Sequence, residues 1–350
     1  MNLDDLHHFQ QIDTDHMIQK IDDLPDQLAA AWEQGQTQDL PDVKQVKQVI
    51  VAGMGGSAIG ADLLASFIAP LSTVPVNIWR NYDLPAYAQG PETLVIASSH
   101  SGNTEETLSA FSTAQERNAQ TLAITTGGRL KELALEANSP CWQFEHGGPP
   151  RAAVGFSFGL LLALAVRAGW IPDQETSLQS ALTTLREQAQ AIGPESPVVH
   201  NPAKRMAGQM VGRWPTIMGG GFLAPVARRW RTQIAELAKA VAQFEELPEA
   251  DHNMVAGVLQ PEELFGATMV VFLRADLDHP RLTQRIDATK LLLMVEGFNT
   301  DLIKARGENR LAQQWSTLHF GDYTAYYLAM AYNLDPTPID AIEDLKHQLG

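Results

Sequence analysis

Ser98, Ser99, Ser101 and Thr104 place four hydroxyls within seven positions, around Gly102 and just ahead of the acidic pair Glu105 and Glu106. Hydroxyls both donate and accept hydrogen bonds, and the first N–H groups of a helix have no partner inside it, so this composition suits an anion such as phosphate held without a lysine. Taken alone, the stretch is equally what any polar loop contains. A second loop changes that reading: Gly53-Met54-Gly55-Gly56-Ser57-Ala58 follows the apolar run Val49 to Ala52 and precedes a helical apolar run from Ile59 to Phe67.

The elements that must position these groups alternate. Leu94 to Ala97 is apolar with β-branched residues, as a strand buried on both faces of a parallel sheet requires, and Asn103 to Glu106 resembles a first helical turn. Val76 to Trp79 and Thr121 to Thr125 read as further strands, and the segments from 104 to about 119 and from Leu130 to Asn138 as helices. Strands alternating with helices predict a doubly wound parallel sheet, in which ligands sit beyond the carboxyl ends of the strands. Both serine-bearing loops fall at that edge.

The first loop also satisfies G-x-G-x-x-A, the dinucleotide-binding pattern. That use calls for an acidic residue about 20 positions on, at the end of the second strand, to hold the ribose. Ile78, Trp79 and Arg80 stand there instead, with Asp83 late, and a nicotinamide site has no need of the hydroxyl loop. A dehydrogenase is the minor reading.

After a helical stretch over 175–191, Gly193 to Pro202 carries three prolines and reads as a linker. The pattern then restarts with Thr216 to Met218, the turn Gly219-Gly220-Gly221 and a helix from Val226 to Ala242. Ala267 to Leu273 reads as another apolar segment, Arg281 to Val295 as a helix, and Phe320 to Tyr332 and Ile339 to Leu349 as closing helices. Two domains are expected: 1–192, a helical N-terminal arm plus the first domain, a linker at 193–203, and 204–350, a second degenerate copy with a C-terminal helix.

A formal net charge of −16 argues against a nucleic-acid or anionic-membrane surface, both of which need clustered Lys and Arg. The uncharged run Ala152 to Val166 is too short to span a bilayer and reads as a buried helix. The N-terminus is acidic and polar where a signal peptide would be basic and then apolar, so a cytoplasmic protein is expected. The single Cys141 allows no internal disulfide. His7 and His8 lie in what reads as a loose N-terminus and the other histidines are scattered singly without ligand spacing, so no metal is expected.

GMGGSAIGAD together with SSHSGNTEET resembles the sugar isomerase (SIS) domain, and the longer pattern resembles the bifunctional phosphoglucose/phosphomannose isomerases, from about residue 45 to the end. The resemblance implies two SIS-type domains flanked by helices, working without cofactor or metal on hexose 6-phosphates. It also implies that Gly56, Ser57, Ser99, Ser101 and Thr104 hold the substrate phosphate. Gly148-Pro149-Pro150-Arg151-Ala152-Ala153 resembles the family's P-R-A-A segment, which assigns Arg151 to the negative charge of a cis-enediol transition state. Arg228 to Lys239 resembles the family's N-E-N-S/A-K helix and puts the proton-abstracting base at Glu236, though Ala235 and Leu237 replace both asparagines. Without the resemblance, Glu236 reads as a surface partner of Lys239. The stretch from Pro248 to Asn253 resembles P-E-x-x-H-N, implying that His252 opens the sugar ring and reaches the site from the partner in a homodimer with shared active sites. Asp335-Pro336-Thr337-Pro338 and Lys346 match the family's ending, with Thr337 beside the C2 substituent and Lys346 assisting ring opening. The alternative is a non-catalytic phosphosugar-binding SIS regulator, which has no use for Arg151, Glu236 and His252 together.

Overall fold

The computed structural model describes residues 2–349. Three helices open the chain: α1 (Leu6–Ile12), α2 (Met17–Asp22) and α3 (Leu24–Thr37). Residues 6–12 are thus helical where the sequence suggested a loose end, with Asp5 capping α1 by accepting from the His8 N–H at 3.0 Å. His7 and His8 belong to this helix.

The first sheet and its helices follow as β1 (Gln48–Ala52), α4 (Gly55–Ile68), β2 (Val76–Trp79), β3 (Thr93–Ser99), α5 (Glu105–Glu116), β4 (Gln120–Thr125), α6 (Gly128–Glu136) and β5 (Cys141–Gln143). A 3₁₀ turn at Pro150–Ala152 leads into α7 (Val154–Arg167), and α8 (Glu175–Ile192) comes next. The strands are all parallel in the order β2-β1-β3-β4-β5. All seven residues of β3 are buried, which is why its sequence is a continuous apolar run ending in small hydroxyl residues and not an alternation. Helix α5 buries only Thr107, Ala110, Phe111 and Ala114, one stripe at helical spacing. Phe111 packs with Ala97, Ala123, Leu130 and Ala134, and truncating it to alanine would cost about 3–5 kcal/mol.

The second sheet arises from α9 (Pro202–Met210), β6 (Trp214–Gly220), α10 (Ala224–Ala238), β7 (Gln243–Leu247), β8 (Thr268–Arg274), α11 (Pro280–Val295), β9 (Asn299–Lys304), α12 (Arg310–Tyr332) and α13 (Asp340–Leu349). Its strands are parallel in the order β7-β6-β8-β9, repeating the 2-1-3-4 start of the first sheet. Helix α12 is buried along nearly its whole length. Its Asp322 receives a two-pronged bond from Arg229 of α10, Nε to Oδ1 at 3.1 Å and Nη2 to Oδ2 at 2.9 Å, with both side chains buried. Removing either partner alone would strand a buried charge at a cost of about 3–5 kcal/mol.

Two compact units result: residues 23–182, and the residues up to Asp22 together with Thr183 onward. The division falls inside α8, not in the stretch 193–203. That stretch is packed in place. Asn201 is buried, caps α9 through Oδ1 to the N–H groups of Ala203 and Lys204, and donates from Nδ2 to the carbonyls of Ile192 and Gly193. Among the described residues no helix is long and apolar enough to cross a membrane.

Candidate active site

The strand order of the first sheet reverses between β1 and β3, since β1 leads sideways to β2 and β3 leads away to β4. A crevice opens beyond the carboxyl ends of strands at such a point, and ligands of doubly wound sheets bind there. Both serine-bearing loops flank it. In the first, Met54 is extended ahead of α4, and Ser57 lies buried in the first helical turn. In the second, Thr104 caps α5 by backbone position while its Oγ1 lies 2.8 Å from Ser99 Oγ. Ser99 Oγ also accepts the Gly102 N–H at 3.1 Å, and Ser57 Oγ accepts the His100 N–H at 3.2 Å. Ser101 Oγ accepts the Asn103 N–H at 3.2 Å from an exposed position. Gly102 is required where it stands: its φ is +71°, and a Cβ there would meet the Gly127 carbonyl oxygen at 1.8 Å. Gly56, Ser57, Ser99, Ser101 and Thr104 are therefore gathered on two adjacent loops of one unit, beside two helix N-termini and no lysine.

Arg151 belongs to the same unit. It is buried in the 3₁₀ turn after β5, so its charge is placed by the fold and not left in solvent. The turn is pressed onto the first loop: a Cβ on Gly56 would come within 2.4 Å of the Pro150 carbonyl oxygen, and Ser157 Oγ donates to the Gly56 carbonyl at 3.2 Å. The sequence treated the histidines as scattered, but the structure pairs two of them here. His100 Nε2 lies 3.1 Å from His146 Nδ1, with Phe144 edge-on to the His100 ring, Phe156 edge-on to the His146 ring, and the two phenylalanines stacked on each other. Burial, with His146 alongside, pushes His100 down to about 4. No sequence spacing announces residues 46 apart as a pair; only the adjacency of β3, β4 and β5 brings them together.

The remaining assigned residues lie in the other unit. Glu236 sits half-buried in the last turn of α10. Lys239, left-handed at φ 51°, closes that helix, and its Nζ donates to the carbonyls of Glu236 at 3.1 Å, Leu237 at 3.2 Å and Asp335 at 2.7 Å. This one lysine ties the end of the Glu236 helix to the Asp335–Pro338 segment, where the Thr337 N–H donates to Asp335 Oδ1 at 2.9 Å. Of the two residues that replace the asparagines, Ala235 is exposed and Leu237 is buried. His252 is exposed on a 3₁₀ turn after β7, and the neighbouring Asp251 is pinned by Arg285 at 2.9 Å and Thr289 at 2.7 Å, both on α11. Lys346 lies on α13, whose residues are exposed throughout the described span. The sequence assigned Glu236, Thr337, His252 and Lys346 to one site; within this unit Lys239 connects the first two, and His252 and Lys346 occupy separate exposed elements. Among the described residues no group of three or more His, Cys, Asp or Glu is arranged to hold a metal ion.

Two parallel α/β units, one carrying a hydroxyl cradle at its switch point, define a protein of the sugar isomerase class. Residues 42–137 match the SIS domain model, and residues 199–349 match that of the bacterial phospho-glucose isomerase C-terminal SIS domain. The chain is 39% identical over 338 residues to a bifunctional phosphoglucose/phosphomannose isomerase of Caldicellulosiruptor bescii, covering 95% of this chain and 99% of that one. A protein of the same description from Aquifex aeolicus is 31% identical, covering 88% and 92%. The chain belongs to the bifunctional phosphoglucose/phosphomannose isomerase family. The fold agrees with a glucose-6-phosphate isomerase-like protein from Thermus thermophilus, at a TM-score of 0.67 and 20% identity over 97% of this chain and 98% of that one.

Proposed function

We propose that the protein interconverts hexose 6-phosphates, taking glucose 6-phosphate and mannose 6-phosphate to fructose 6-phosphate and back. The observation that carries this reading is the lysine-free cradle of Ser57, Ser99 and Thr104 at the β1/β3 crevice, with the Arg151 turn packed directly onto its first loop. The phosphate rests on the cradle and leaves the sugar carbons to the other groups. His252 delivers a proton to the ring oxygen, an imidazole being suited to that step near neutral pH, and Lys346 supports the opened chain by charge. Glu236 takes the C2 proton of the aldose and returns it to C1, while the O1 oxygen gains the proton that O2 gives up. The hydrogen moves between adjacent carbons of one molecule, so the oxidation at C2 balances the reduction at C1 with no outside electron acceptor. Arg151 stabilises the enediolate oxygen between the two steps. Thr337 borders the C2 substituent, where glucose and mannose differ.

The reading includes a homodimer in the cytoplasm, with His252 supplied across the interface. What supports a second copy is a stripe on α11 that its own unit leaves uncovered. Leu282, Ile286, Thr289 and Leu293 are buried, whereas Ala288, Leu291, Leu292 and Val295 face out, Leu291 being 61% and Val295 76% exposed. An isologous pairing of two copies through this stripe would cover it on both at once. Asp251, beside His252, is anchored on this same helix.

The test is turnover of fructose 6-phosphate by the purified protein in D₂O, following glucose 6-phosphate and mannose 6-phosphate together with deuterium at C2. Both aldoses should appear labelled. Saturable phosphosugar binding without turnover would leave the non-catalytic regulator, and reduction of a nicotinamide would leave the dehydrogenase.

A further inference from the structure

We propose that His100 and His146 act as a positioning pair, holding the segment that carries Arg151 in register with the phosphate loops. The proposal rests on the isomerase reading above and adds to it two residues that contact no substrate.

His100 is held at its root from two sides. Its N–H donates to Ser57 Oγ at 3.2 Å, and its carbonyl accepts from the Thr126 N–H at 3.0 Å and Thr126 Oγ1 at 2.7 Å. The ring therefore projects from a fixed point between the first loop and the end of β4. At its far side, His146 Nδ1 receives two donors, His100 Nε2 at 3.1 Å and the Gly148 N–H at 3.2 Å. A backbone N–H can only donate, so Nδ1 of His146 is the bare acceptor and its ring proton sits on Nε2. His100 must then carry its own proton on Nε2. Both tautomers follow from one amide.

The link has little slack beyond His146. Pro149 and Pro150 separate the pinned Gly148 from Arg151 and fix two φ angles, and the Pro150 carbonyl packs on Gly56. Between these parts lies a gap of about 10 Å³, lined by Gly56, Ser57, His100, Phe144, Pro150 and Ser157. It admits at most a single water, so on this side the His100 ring packs against the tether with no ligand between them. Burial that keeps His100 neutral keeps the donor and acceptor roles fixed across the physiological range.

The pair is tested by replacing His146 with two amides of different reach. Asparagine puts Oδ1 where Nδ1 stood and preserves the acceptor; glutamine has similar polarity and places its acceptor one bond too far. His146→Gln should lose about tenfold or more in kcat with KM for fructose 6-phosphate changed by less than about threefold, because the phosphate groups lie on the other loops. His146→Asn should keep kcat within about threefold of wild type. His100→Leu should match His146→Gln, and the double variant should be no worse than either, as expected when both remove one link. Equal behaviour of the Gln and Asn variants, or a loss confined to KM, would overturn the pair while leaving the isomerase reading intact. A wild-type protein without turnover overturns both.

Discussion

Gly56→Ala should impair the reaction more than the fold. Gly56 has an ordinary helical φ and lies in the first turn of α4, where alanine is the better helix former by about 1 kcal/mol. The added Cβ, however, would stand 2.4 Å from the Pro150 carbonyl oxygen, 2.8 Å from its carbon and 3.2 Å from the Arg151 nitrogen, all backbone atoms that no rotamer change can move aside. Ordinary contact begins at 3.4 Å, so the Arg151 turn must retreat from the phosphate loop by about 1 Å, a misplacement that costs on the order of 10²-fold in rate, or about 2.7 kcal/mol of transition-state stabilisation. The loss should fall mainly on kcat. Gly55→Ala is the internal control. Nothing lies within 4 Å of its Cβ, but its φ is +49°, so it should lose about 1 kcal/mol of stability with kcat little changed. Steady-state kinetics on fructose 6-phosphate and thermal unfolding of both variants separate the effects. A Gly56→Ala enzyme within about threefold of wild type, or a Gly55→Ala enzyme equally slowed, would refute the argument from contact.

Glu236→Gln should abolish solvent exchange at C2 while hexose 6-phosphate still binds; exchange that persists would redirect attention to Glu245, whose carboxyl burial pushes up. Ser101→Ala with Thr104→Ala should raise KM for phosphorylated sugar by about tenfold or more, since two charge-directed hydroxyls are lost, and unchanged kinetics would remove the phosphate assignment. Co-expressed Glu236→Gln and His252→Ala chains should regain activity in isolated mixed dimers, where one site carries both lesions and the other neither; mixed dimers as inactive as their parents would place both residues in one chain. His319 is fully buried, donates toward the Ile21 carbonyl at 2.9 Å and is pushed down to about 4 by burial. Its neutral form is the folded one, so its contribution is fully present above the unfolded value near 6.5 and is lost as pH falls from there toward 4, by about 3 kcal/mol. His319→Gln should flatten that acid slope in thermal unfolding.

What was legible in the sequence was what local chemistry announces. The strands at 49–52, 76–79, 94–97 and 121–125 are short runs rich in apolar and β-branched residues, and all four occur in the first sheet. The missed strands carry no such signal. β5 is the three residues Cys141–Gln143, β7 is the polar QFEEL and β9 is NTDLIK, each paired on one side at a sheet edge, where a continuous apolar run is not needed. The prolines of 193–203 read as a linker because a proline cluster breaks a helix whether the chain beyond it is loose or, as here, packed around a buried asparagine. Of the site, the hydroxyls were visible from their crowding. The His100–His146 pair was not, being a product of strand order alone.

The second unit shows why only one of the two sheets carries a cradle. Its strand order also reverses, between β6 and β8, and Gly219-Gly220-Gly221 turns there into α10 as the first loop turns into α4. The hydroxyls are gone, and the space is filled from within. A Cβ on Gly220 would meet Leu282 side-chain atoms at 2.7 and 2.9 Å and the Leu247 carbonyl at 2.8 Å. Asp278 lies at the same edge, where its Oδ2 accepts the Ala275 N–H at 2.8 Å while its Oδ1 is buried without a hydrogen bond. Burial lifts that carboxyl to about 6, so near neutral pH it is largely negative and repels a second anion from the turn. Arg310, the nearest counter-charge, is turned onto the Phe222 ring at 4.2 Å. The two sheets therefore share the crevice-forming strand order and differ in the side chains that face it, hydroxyls at the first crevice and a buried carboxylate at the second.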